Sequence, residues 1–363
     1  MGVVAMNKIG RGLNTFLAAL GVSAGLLGFA VVGPAVAAEP TFEAGAPSVF
    51  LPYFRGPEGG EPLKGEPHLA VVIGGKRTRV VMDSGSTGLV LSANHIPGID
   101  NLQVLGPAKL TYSSSGQIMV GRWVVTPVTI LGADGTSVQT KAIPVLAVDR
   151  VECMPDARRC EPNDSPSRIG MLGIGFGREH DHQPESKPKT NALLNLEGNV
   201  HPGYVMTRTG VWVGLDAERA KGFSFVKLER DAANDDWHGA PGCIIVADRQ
   251  PACGSILVDT GLKEMFMTVP PAASDGLTRS RRGGETLAPG TKVTIEAGPP
   301  GQPAARYSFD VGEHDSPMAP ARIVLVGGDR PNFVNTGSHF LNGFDMLYDA
   351  AGGYVGYRPA PLQ

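Results

Sequence analysis

From Leu69 onward, short apolar runs alternate with turn residues. "LAVVIGGKRTRVVM" (69–82) reads as two strands folded back at Gly74-Gly75, a pair suited to a tight hairpin turn. "WVVTPVTILGADGTSVQTKAIPVLAV" (123–148) reads as several strands with a turn at Asp134-Gly135. "TKVTIEAG" and "ARIVLVGG" add further strands, and "DMLYDAAGGYVGYRP" (345–359) adds a hairpin around Gly352-Gly353. Helical signal is confined to 188–197 and a turn near 216–221. The polar segments 178–191 and 274–290 read as surface loops.

One pattern occurs twice. "RVVMDSGSTGLVLSA" (79–93) and "SILVDTGLKEMFMTV" (255–269) each run from an apolar strand through Asp, a hydroxyl residue and Gly into another apolar strand. The two aspartates, Asp83 and Asp259, stand 176 positions apart in a chain of 363 residues. A single D-[ST]-G is an ordinary turn sequence. Two copies framed alike predict two β-rich lobes of similar build.

Composition supports this. With 49 Gly, 30 Pro and only 6% aromatic residues, the chain suits β-structure with many turns rather than helical bundles. A formal net charge of −3, with both signs interspersed, excludes the basic face that nucleic-acid binding requires. The first residues differ from the rest. Lys8 and Arg11 precede a long uncharged apolar run that ends at Ala35-Val36-Ala37, a small-residue cleavage pattern. Residues 1–38 are therefore expected to be a cleaved secretory signal, which leaves no stable membrane partner. The "GVSAG" inside this segment matches a serine-hydrolase pattern, but its position rules it out as a nucleophile elbow. All four cysteines follow the signal, as two close pairs, Cys153 with Cys160 and Cys243 with Cys253. Two short disulfide loops suit an oxidising, periplasmic or extracellular setting. Neither pair has C-x-x-C spacing, so a metal site is the weaker reading. His180 and His182 in "EHDH" lack a third ligand at a convincing spacing and read as loop residues.

If each lobe presents its aspartate to the other, two carboxylates meet across a seam. Like charges that close do not both ionise readily, so the pair holds one proton over a wide pH range. A water between them can lose a proton to one while the other protonates a peptide carbonyl. Gly85 and Gly261 are read as allowing tight turns. The hydroxyls of Ser84 and Thr260 are read as bonding across the seam, and Ser86 as a donor to Asp83.

These motifs resemble the pepsin-like, two-lobed aspartic proteases, and the resemblance spans most of 65–360. Asp83-Ser84-Gly85-Ser86 and Asp259-Thr260-Gly261 stand where that family carries its catalytic motifs. "IGMLGIGF" (169–176) is similar to the apolar-apolar-Gly segment beside the first loop, with Gly173 at the glycine, and "NTGSHF" supplies Gly337 in the second half. "LTYSSSGQIMVG" (110–121) resembles the family's flap hairpin, which puts Tyr112 at the substrate-covering tyrosine. Cys243 and Cys253 resemble a small disulfide loop of the family. There are departures too. Leu262 stands where members place a hydroxyl, Asn335-Thr336 replaces an apolar pair, and Val90 stands near the position of the family's tryptophan.

The resemblance implies a mostly β, bilobal acid-protease fold, with an N-terminal lobe over 45–200 and a C-terminal lobe over 201–363. It implies an exported, monomeric aspartic endopeptidase that acts on peptide or protein substrates without cofactor or metal. The departures keep one alternative in view, a catalytically weak or inactive pepsin-like protein that binds or inhibits.

Overall fold

The computed structural model describes residues 39–58, 60–155, 157, 160–178, 183, 187–281 and 284–360. The expected signal (1–38), its "GVSAG", and His180 and His182 lie outside the described residues.

The chain is mostly β. It opens with β1 (Val49–Pro52), which no motif announces. The hairpin of β2 (His68–Ile73) and β3 (Lys76–Asp83) turns at Gly74 and Gly75, both with positive φ. Then come β4 (Thr87–Ser92), the long pair β5 (Gln103–Tyr112) and β6 (Gln117–Thr126), β7 (Thr129–Leu131), β8 (Ser137–Gln139), β9 (Ile143–Cys153) and β10 (Gly170–Ile174). These nine strands form one sheet in the order β5-β6-β9-β4-β10-β3-β2-β7-β8. Every residue of β4 is buried, because strands flank it on both edges and the core covers both faces.

Next come β11 (Gly203–Met206), β12 (Gly210–Val213), β13 (Ser224–Lys227) and the two-residue strands β14 (Arg230–Asp231) and β15 (Asp236–Trp237). A second group follows, made of β16 (Ala240–Val246), β17 (Ala252–Leu257), β18 (Met265–Thr268), β19 (Thr278–Arg281), β20 (Gly284–Leu287), β21 (Lys292–Ala297), β22 (Ala305–Asp310), β23 (Ile323–Leu325) and β24 (Phe333–Asn335). It forms a nine-stranded sheet in the order β19-β20-β23-β18-β24-β17-β16-β21-β22. Strand for strand, this is the order of the first sheet. The senses repeat as well: β10 is parallel to β3 and antiparallel to β4, and β24 is parallel to β17 and antiparallel to β18. The loose repeat in the sequence is thus a full repeat in topology. β25 (Phe344–Asp349) and β26 (Tyr354–Pro359) complete a third, six-stranded sheet, β1-β12-β11-β25-β26-β13, which joins β1, the middle segment β11–β13 and the last two strands. One continuous apolar core joins the three large sheets, with Met82, Leu172, Met265, Phe340 and Tyr348 among its fully buried members.

Three expectations change. The 274–290 segment is not simply a loop, because it holds the β19–β20 hairpin, the counterpart of β5–β6. Arg279 on the edge strand β19 and Glu285 on its neighbour β20 are both exposed, and polar residues there hide the strand period. The 188–197 segment holds two separate 3-10 turns, Pro188–Thr190 and Ala192–Leu194, rather than one helix. The 178–191 segment is not wholly at the surface, since Arg178, Gln183 and Thr190 are buried.

Both expected disulfides are present. Cys243 and Cys253 face each other across the β16–β17 pair. Cys153–Cys160 closes a loop at the end of β9. That loop backs the β5–β6 turn, where Met154 N–H donates to Gly116 O at 2.8 Å. In the double variant Cys153→Ser/Cys160→Ser, the Met154 amide is expected to exchange hydrogen faster while amides in the middle of β9 do not change. Native-state exchange followed by mass spectrometry reads this.

Candidate active site

The two D-x-G loops leave equivalent strands. Asp83 is the last residue of β3, and Asp259 lies two residues beyond β17. Ser84 and Thr260 tie the loops together. Ser84 Oγ donates to Val258 O at 2.5 Å, and Thr260 Oγ1 donates to Met82 O at 2.6 Å. In return, the Ser84 N–H donates to Thr260 Oγ1 and the Thr260 N–H to Ser84 Oγ, each at 3.0 Å. Each hydroxyl thus satisfies a backbone carbonyl and an amide of the opposite loop in a seam closed to water.

This tie fixes the carboxylates against each other. A Cβ on Gly85 would lie 2.4 Å from Asp259 Cγ, and one on Gly261 would lie 2.4 Å from Asp83 Oδ1. Neither glycine has a positive φ. Both stand in turns, as expected from the sequence, and they have a second role. They vacate the space that the opposite carboxylate fills. The two carboxyls therefore lie side by side, each against the glycine of the opposite loop.

The donors around each acid match. The Gly85 N–H donates to Asp83 Oδ1 at 2.8 Å, and the Gly261 N–H to Asp259 Oδ1 at 2.9 Å. Ser86 Oγ donates to Asp83 Oδ2 at 2.5 Å. Leu262 offers no such group, but Asn335 Nδ2 reaches Asp259 Oδ2 at 2.6 Å. Sequence reasoning saw Asn335 only as a departure. Its one signal was polarity at a buried strand end.

Both acids are buried, each 5% exposed. Burial, and after it the negative charge of Asp83, pushes the Asp259 carboxyl up to about 8. Asn335 and the charge of Arg178 oppose that rise. Arg178 Nε donates to Gly85 O at 2.8 Å, and Gln183 Nε2 reaches the same carbonyl at 3.4 Å. Neither residue carried a sequence signal, because both stand in a polar, proline-bearing stretch.

Tyr112 ends β5, with its hydroxyl buried and without a partner of hydrogen-bonding geometry. Burial, then the charge of nearby Asp83, holds its phenol above the ordinary range, while Ser86 acts the other way. Its ring packs on an apolar cluster that contains both Val90 and Trp123. Among the described residues, no cluster of His, Cys, Asp and Glu could hold a metal ion, and no helix is long and apolar enough to cross a membrane.

No protein-family model matches the chain, and no curated protein matches it in sequence.

Thr260→Val keeps the shape but leaves Met82 O without its donor and the Ser84 N–H without its acceptor. The expected cost is about 2–4 kcal/mol of folding stability. Urea unfolding measures it, and no loss would mean that the cross-seam bonds do not hold the loops.

Proposed function

We propose that the chain is an aspartic endopeptidase of the pepsin-like, two-lobed kind. The observation that carries this reading is the mutual fit of each carboxylate into the space left by the opposite glycine, at Gly85 and Gly261. The strand-for-strand repeat of the two large sheets supports it. So does the β5–β6 hairpin, which brings Tyr112 toward the same pair.

The chemistry follows from the unequal ionisation of the pair. Asp83 takes a proton from a water held between the carboxyls as the water oxygen bonds to the peptide carbon. Asp259 gives its proton to the carbonyl oxygen, which forms a tetrahedral diol. The diol then returns a hydroxyl proton to Asp259 as the C=O bond re-forms, the C–N bond breaks, and the amine leaves with the proton that Asp83 took up, so the pair regains its starting ionisation. No covalent enzyme intermediate forms and no cofactor takes part. An extended peptide is the fitting substrate, held by strand-like main-chain bonds.

The setting is extracytoplasmic. Two disulfides suit an oxidising compartment, and export through a cleaved signal and action as a monomer complete the proposal. Leu262 together with Asn335-Thr336 was the reason for the binder alternative. With Asn335 as a donor to Asp259, that reason weakens.

Asp83→Asn and Asp259→Asn are each expected to lower kcat about a thousandfold or more on a mixed peptide library. A statine-type mimic of the diol is expected to inhibit the wild type. Retention of uncleaved peptide by the wild type would mark a binding protein instead. The pH profile has a definite sign. Asp259 must be protonated to act as the acid, so kcat/KM is expected to persist at neutral pH and to fall as pH rises through about 8. Steady-state kinetics across pH 4–10 checks this, and a rate that climbs past pH 9 would contradict it.

A further inference from the structure

The two halves provide their outer hydrogen bond in opposite ways. In the first sheet, Met171 pairs with Val81, two residues before Asp83, and with Val90, seven residues after it. In the second, Asn335 pairs with Leu257 and Phe266, at the same offsets from Asp259. Met171 and Asn335 are therefore equivalent positions, as are Ser86 and Leu262. In the first half the loop carries the donor and the strand is apolar. In the second half the loop is apolar and the strand carries the donor. Both arrangements end on the same atom, an aspartate Oδ2.

The exchange changes what the donor can do. A serine hydroxyl rotates and can donate or accept. The Asn335 amide is pinned, because the Gly337 N–H donates to its Oδ1 at 3.0 Å, which turns Nδ2 toward Asp259. Nδ2 has hydrogens and no available lone pair, so it can only donate. The side chain is 7% exposed, and water does not easily replace it.

We propose that Asn335 is the positioning residue of the second aspartate: it gives Asp259 Oδ2 the hydrogen bond that Leu262 cannot, and so confines the proton of the pair to Asp259 Oδ1. The proposal deepens the peptidase reading and rests on it for its kinetic readout only.

The test follows the Asp259 carboxyl by 13C NMR against pH in the full chain, alongside peptide hydrolysis. Asn335→Ala removes a donor to the charged form. The Asp259 midpoint is expected to rise by about one to two pH units. The alkaline limb of kcat should move with it, and kcat should fall about tenfold at little change in KM. Adding Leu262→Ser to Asn335→Ala places a hydroxyl as Ser86 is placed, and both values are expected to return toward wild type. Asn335→Asp, of nearly the same shape, serves if the alanine variant does not fold, and it too should raise the midpoint. An Asp259 midpoint unmoved by either substitution overturns the proposal, as does a double variant that behaves like Asn335→Ala alone. If no variant nor the wild type cleaves peptides, yet the midpoint rises with Asn335→Ala and returns with Leu262→Ser, the positioning role stands and the peptidase reading falls.

Discussion

Two hydroxyls crossing a dry seam determine what the site can be. Ser84 and Thr260 each bond a carbonyl and an amide of the opposite loop. Four buried backbone groups would otherwise lack partners, and each such loss is costly in a region that water does not reach. The loops therefore cannot separate without exposing unsatisfied polar groups. Held there, Asp83 and Asp259 have nowhere to go but toward each other, and two glycines provide the room.

That closeness runs against electrostatics. Two buried carboxylates repel, and the fold accommodates them by keeping one protonated. The surrounding donors decide how the burden is divided. Each acid has an amide on one oxygen and a side-chain donor on the other, so the charged form is solvated from within. The rest of the fold serves to keep this arrangement rigid. Tyr204 of β11 donates to Ile174 O, and the Gly175 N–H bonds Ser86 O, so the six-stranded sheet buttresses the first loop. The Thr336 and Ser338 amides bond Leu257 O and Leu262 O and do the same for the second.

Legibility followed the range of each signal. The β2–β3 hairpin, the turn at Asp134 and the β25–β26 hairpin were readable because a turn residue and its flanking apolar strands are neighbours in sequence. The aspartate loops were readable because the motif recurs, and the cysteine pairs because each is close in sequence. Asn335 bonds an aspartate 76 residues away, a contact that no local pattern encodes. Arg178 reaches Gly85 across 93 residues from a segment whose composition resembles solvent-facing loops. The β19–β20 hairpin escaped notice because its strands, TRSR and GETL, are polar at nearly every position, as the exposed edge strand β19 tolerates. The second role of Gly85 and Gly261, leaving room for the opposite carboxylate, was hidden for a related reason. A glycine needed for a turn and a glycine needed for a neighbour look alike until the neighbour is placed.

On the reading above, Asp83 and Asp259 share one proton at neutral pH. Titration of the Asp259 side-chain carboxyl by 13C NMR, in the wild type and in Asp83→Asn, tests it most directly. Asp259 is expected to titrate near 8 in the wild type and clearly lower once the charge of Asp83 is removed. A wild-type midpoint in the ordinary carboxylate range, unmoved by Asp83→Asn, would contradict it.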